Sequence, residues 1–204
     1  DLRGVVNDIR RTVEERVDIP QGYHVEYGGQ FESEQAASRI LLLASLVSLL
    51  VIFLLLFQEF RSLSVSGIVM LNLPLALIGG IFSLWFTSGE VSIPAIIGFI
   101  SLFGIATRNG ILLVSHYNSL RSEGMPLYES VVTGSMDRLN PILMTALSSA
   151  LALVPMALGG HLPGNEIQSP MAKVILGGLL SSTLLNGFII PAVYLIINRK
   201  NQHA

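Results

Sequence analysis

Arg108 is the residue whose type and position constrain this chain's chemistry most. It lies near the middle of the stretch 97–117, IGFISLFGIATRNGILLVSHY, with about ten membrane-compatible residues on either side. A guanidinium stays protonated inside proteins, and holding one at the centre of a bilayer costs at least ~2.5–3.5 kcal/mol on insertion scales. At about 100° per residue, Ser101 and Ser115 fall about 20° from Arg108, and Gly104 about 40°. Phe99, Phe103, Ala106 and Leu113 point the other way, towards lipid or another apolar helix. Ile97, Ile105 and Leu112 share the Arg108 side, so that face is mixed. The pattern predicts a helix with one face in a protein-lined, partly hydrated interior. A fixed cation there calls for a carboxylate or a water-filled cavity.

Other polar residues recur at membrane depth. Arg138, Thr145 and Ser149 lie within about 40° of one another, a hydroxyl-lined track running from an arginine. Asn140–Pro141 reads as a helix start, which places Arg138 at the entry to the span. Gly178, Ser182 and Asn186 form a small-polar row, with Gly177 and Ser181 beside it. Gly79–Gly80 and Gly104 likewise suit close helix contact. The plain alternative to each is structural. Small-xxx-small rows pack helices, Ser and Thr back-bond their own helix, and Arg138 anchors an inner membrane edge. Asn72 and Asn109 carry amides that need partners wherever they lie.

No Asp or Glu occurs inside any apolar span, so an acid facing Arg108 must come from elsewhere in a longer chain or from another subunit. Arginine does not titrate, and a proton-coupled mechanism needs a group that does. His116, about 80° from Arg108 near the inner end, can titrate; the plainer reading makes it interfacial. No metal centre or cofactor site is expected: His24, His116 and His161 are far apart, and Met70, Met125, Met136, Met144, Met156 and Met171 show no paired spacing. There is no G-x-x-x-x-G-K-[ST] phosphate loop, and the chain reads as a non-enzyme.

The elements that position these residues follow from composition. The chain has 204 residues, 51% hydrophobic and 13% charged, against roughly 25% charged in soluble domains. It reads as an all-α polytopic membrane protein. Neither a basic run nor an aromatic platform points to nucleic acid. The opening DLRGVV, without Met or signal peptide, reads as the continuation of something longer. Residues 1–33 are expected to be a short soluble α/β remnant, an amphipathic helix over 1–17 and a strand over 23–27 (YHVEY). It is too small to bury a core of its own. Residues 34–204 form the membrane part, with spans at about 38–58, 63–86, 91–118, 139–159 and 170–197. Pro74 kinks the second span, and a short interfacial helix precedes the fourth. Arg61, Arg121, Arg138, Arg199 and Lys200 fall on one side, and only Arg39 and Lys173, at span edges, on the other. That bias places the C-terminus in the cytoplasm and the N-terminal remnant outside.

Four ordered motifs carry a resemblance: NLPLALIGG at 72–80, GIATRNGILLV at 104–114, RLNPILMTAL at 138–147 and GNEIQSPMAKVILGGLLSSTLLNGFIIPAVY at 164–194. Over nearly the whole chain the sequence resembles the last five spans of a resistance–nodulation–division (RND) efflux pump, most closely the heavy-metal branch. The resemblance implies a bacterial inner-membrane proton antiporter, a homotrimer working with a periplasmic adaptor and an outer-membrane channel. It implies that residues 1–33 end a periplasmic pore-type subdomain. It also implies that Arg108, Asn109, Arg138 and Thr145 occupy proton-relay positions facing acids on the first half of the same permease. Position 108 departs from the family pattern, which carries Lys; an Arg can only swing between partners as a fixed charge. The substrate is read as metal cations or small toxic compounds. The rivals are a multidrug or lipid exporter and a non-transporting membrane scaffold.

Overall fold

The computed structural model describes residues 2–17, 20, 22, 25, 30–87, 91–165 and 167–201. Among them are seven helices: α1 (Leu2–Arg16), α2 (Gln30–Phe60), α3 (Leu63–Met70), α4 (Asn72–Thr87), α5 (Ile93–Ser122), α6 (Leu127–Leu158) and α7 (Gln168–Asn201). No strand occurs among the described residues. The strand expected over 23–27 lies, except for Val25, outside them. Five segments are long and apolar enough to cross a membrane: Ala36–Phe60, Leu63–Thr87, Ile93–Ser122, Leu127–Leu158 and Gln168–Arg199. The fold is an all-α polytopic membrane bundle.

The chain divides into two compact units, residues 1–44 and 45–204. In the first, α1 is amphipathic, with Val5, Ile9 and Thr12 around a shallow groove. Arg10 Nε donates to Glu14 Oε1 at 3.2 Å and Arg11 Nε to Glu15 Oε1 at 3.0 Å, pairs one helical turn apart that support the solvated side.

In the second unit α7 is central and packs against α3, α4, α5 and α6, while α5 also touches α3, α4 and α6. Helix ends follow local chemistry. Ser62 caps α3, its Oγ accepting from Val65 N at 3.5 Å, and Ser92 caps α5, accepting from Ala95 N at 3.4 Å. The second span breaks at Leu71, three residues before Pro74, where the missing proline N–H and the ring's clash with the preceding turn force a kink.

Small residues set the close α4–α7 contact. A Cβ on Gly79 would run into Ser181 and the Gly177 carbonyl, and one on Gly177 into Ser83 and the Gly79 carbonyl. Ser83 Oγ donates to Lys173 O at 2.7 Å and Ser181 Oγ to Leu75 O at 2.8 Å. These pairings run in opposite sequence directions, so the two helices are antiparallel. On the α5 side, Gly80 meets Phe99, Gly98 meets Met171 and Val174, and Gly178 meets Leu102. Further along, Tyr117 meets Tyr194 and Arg121 Nη1 donates to Asn198 Oδ1 at 3.0 Å. The numbers rise together, so α5 and α7 are parallel.

Two expectations need correction. The helix start expected at Asn140–Pro141 is absent: α6 is continuous from Leu127 to Leu158, with Pro141 inside it, and absorbs the expected interfacial helix. Packing explains this, because Val131 and Gly134 are buried, Gly134 directly beneath the Tyr117 ring. That tertiary contact holds the turns before the proline in helical form. Gly104 makes no packing contact among the described residues, since a Cβ there would meet none of them within 4 Å. It lies on the open side of α5.

Candidate functional site

The two faces of α5 differ sharply. Leu102, Phe103, Ala106, Asn109, Gly110, Leu113, Val114 and Tyr117 are buried against the bundle. On the other side Ser101, Gly104, Arg108, Leu112 and Ser115 are exposed in one line. The sequence pattern had placed those residues together, and among the described residues of the second unit no helix covers their face. Phe103, Ala106 and Leu113, the side expected to meet lipid or another apolar helix, pack inside. Arg108 has no hydrogen bond or ion pair among the described residues. On the same line Ser101 spends its donor locally, on Ile97 O at 3.0 Å.

Asn109 follows Arg108 but points inward and is 4% exposed. Beside it, a Cβ on Gly110 would collide with the Asn72 amide, so α5 approaches the α3–α4 break there as closely as backbone allows. Asn72 and Asn186 are fully enclosed, and neither amide atom of either residue has a hydrogen-bond partner among the described residues. Since Gly178 faces Leu102 and Tyr194 faces Tyr117, the parallel register brings Asn186 to the depth of Asn109 and Gly110. Three asparagines therefore share one level of the bundle with Arg108. Buried amides without partners are costly, and such groups concentrate where function holds them.

On α6 the candidate track is partly open. Arg138 is half-buried and has no partner among the described residues. Thr145 Oγ1 donates to Pro141 O at 2.8 Å, the back-bond that an intrahelical threonine makes by default. Its lone pairs stay available, its proton does not. Ser182 Oγ likewise donates to Leu179 O at 3.2 Å inside the α7 packing surface. Between α5, α6 and α7 lies a cavity of about 310 Å³ walled by Leu113, Leu139, Ile142, Leu143, Leu184 and Phe188. Such a wall suits hydrocarbon, not a metal cation. Among the described residues no three His, Cys, Asp or Glu side chains come together.

One cluster escaped the sequence reading. Where α5 and α6 cross, His116 Nε2 lies 3.1 Å from Asp137 Oδ2. Tyr117 OH and Ser135 Oγ are hydrogen-bonded, and Tyr194 OH donates to Asn118 Oδ1. Sequence alone offered His116 as titratable but gave no register across the intervening loop.

The described helices thus leave Arg108 exposed and unpaired at mid-span, opposite a fully packed side of α5. Residues 1–198 match the AcrB/AcrD/AcrF family, and the chain belongs to it: it is a piece of an RND transporter, not of an enzyme. It is 40% identical over 204 residues to the cobalt-zinc-cadmium resistance protein CzcA of Cupriavidus metallidurans, covering 100% of this chain and 19% of that protein. It is 31% identical to the cation efflux system protein CusA of Escherichia coli K12, over 95% of this chain and 20% of that protein. The crystal structure of a heavy metal efflux pump superposes with a TM-score of 0.83 at 34% identity, covering 98% of this chain and 20% of that one. The chain thus spans about a fifth of the length of these relatives.

Proposed function

We propose that this chain is the last five-span portion of an RND permease that exports metal cations in exchange for protons. The supporting observation is the exposed, unpartnered Arg108 line on a helix whose other side is fully packed. An arginine so placed is stable only against an acid or water in a protein-lined interior. The sequence reading expected no acid in the spans, but the observed spans are longer and include Glu59, Glu129 and Asp137; none of the three pairs with Arg108, so its partner belongs to the first-half helices of the same permease, which cover this face. Arg108, Asn109, Arg138 and Thr145 form this chain's part of the relay. When the facing acids lose or gain a proton, the fixed guanidinium swings between partners, and α5 carries the change into the small-residue contacts of α4 and α7. The metal preference rests on the names of CzcA and CusA.

On this reading residues 1–33 end a periplasmic pore-type subdomain and 34–204 are the membrane domain. The N-terminal end is periplasmic, the C-terminus cytoplasmic, and the membrane the bacterial inner one. The intact permease is a homotrimer that hands its cargo to a periplasmic adaptor and an outer-membrane channel. The test is metal tolerance and proton flux of the full-length protein carrying Arg108→Ala or Arg108→Lys. Arg108→Ala should lower both by at least ~100-fold, the scale of losing a charged relay group, and Arg108→Lys should keep part of both. Full activity in Arg108→Ala would support the scaffold reading. Drug tolerance in place of metal tolerance would move the substrate to the multidrug class.

A further inference from the structure

The geometry points to His116 and Asp137 as a proton-release station at the inner end of α5 and α6, an inference that rests on the proton-driven reading above. Among the described residues this is the single ion pair joining two helices. His116 lies eight residues beyond Arg108, about 12 Å along α5 at ~1.5 Å per residue. A bilayer's hydrocarbon half-thickness is ~15 Å, so the imidazole sits just inside the water boundary. Exposure grades outward across the pair, 23% for the His116 side chain and 55% for Asp137.

The site is built by packing. Gly134 allows α6 to come so close that a Cβ there would stand 3.3 Å from His116 Cδ2 and 2.7 Å from Tyr117 Cδ1. Both rings are thereby seated against α6, with His116 aimed at Asp137. The pair is not needed to hold the helices together. Tyr117–Ser135, Tyr194–Asn118 and Arg121–Asn198 already tie α5 to α6 and α7, and an ion pair this exposed adds little stability.

The other titratable or charged groups on the elements around it are accounted for. On α5, Tyr117 and Arg121 are bonded elsewhere. On α2 Glu59, on α6 Tyr128, Glu129 and Arg138, and on α7 Lys173, Tyr194 and Arg199 make no bond to the imidazole. The described parts of α3 and α4 bring no titratable side chain. Asp137 alone engages His116.

The chemistry balances with one proton in and one out. With Nε2–H donating to the Asp137 carboxylate, Nδ1 is the nitrogen that accepts a proton arriving from the relay. The imidazolium so formed is matched by the Asp137 charge and passes its proton to water on the exposed side. Histidine is the side chain that cycles in this way near neutral pH.

The experiment uses the full-length pump in liposomes, measuring metal-driven proton flux against inner-side pH between about 5.5 and 8. His116→Gln keeps a donor for Asp137 but cannot take up a proton. It should lower flux roughly tenfold and flatten the pH profile, a modest share of what acid–base groups contribute, with the unfolding temperature unchanged. Asp137→Asn should act in the same direction and Asp137→Glu restore the profile; this pair carries the test if His116→Gln fails to assemble. Wild-type flux with a wild-type profile in His116→Gln and Asp137→Asn overturns the station alone. Metal export by the unaltered pump without any proton flux overturns the parent reading and the station with it.

Discussion

Arg108 and Thr145 illustrate how much a side chain's surroundings decide about its role. Both lie on membrane-length helices, yet Arg108 makes no hydrogen bond or ion pair among the described residues, whereas Thr145 is hydrogen-bonded to its own helix. If Thr145 serves the relay, it does so as an acceptor. Thr145→Val, which keeps shape and removes the oxygen, should then reduce metal-driven proton flux about tenfold while shifting stability by less than ~1 kcal/mol. Thr145→Ser should retain flux; unchanged flux in Thr145→Val would leave the residue a helix back-bond only. Which residues share a face with Arg108 follows from helical periodicity, but the direction of that face does not: the pattern pointed it to a protein-lined interior, and among the described residues it lies open while Phe103, Ala106 and Leu113 pack inside. The His116–Asp137 pair was not legible. Those residues are twenty-one apart across a loop, and only the depth of the Gly134 contact sets which turn of α6 faces which turn of α5.

Among the elements, α7 decides the assembly because four helices lean on it, α3, α4, α5 and α6. Its contacts are made by residues too small to tolerate growth. Gly178→Ala places a methyl into Leu102 and should destabilise the full-length protein by ~1–3 kcal/mol. Gly187→Ala on the same helix, where a Cβ meets nothing within 4 Å, should be neutral or slightly stabilising. Thermal unfolding of the detergent-solubilised pump would compare the two, and equal effects would contradict the packing described. The glycine pattern on α4 and α7 was readable as a contact surface. Gly104 shares that composition but lies on the open side, and sequence carries no mark of which small face meets a partner within the chain. The start of α6 was misjudged for a related reason. Pro141 carries a strong local start signal, but burial of Val131 and Gly134 against α5 overrides it.

At the scale of the molecule, α5 presents a packed side and an open side, and α1, in the first unit, carries the exposed apolar residues Val5 and Ile9. The sequence holds no cysteine, so orientation can be read by introducing single cysteines into an otherwise cysteine-free full-length protein. Ser122→Cys should be labelled from the cytoplasmic side and Leu162→Cys from the periplasmic side; reversed labelling would overturn the proposed topology. The isolated 204-residue chain should carry neither metal nor protons. The central claim is tested most directly by an experimental structure of the intact permease at a resolution that shows side chains. The account predicts the Arg108 guanidinium within about 4 Å of a carboxylate from a first-half helix; a guanidinium reaching the lipid headgroups, with no buried acid opposite it, would contradict the account.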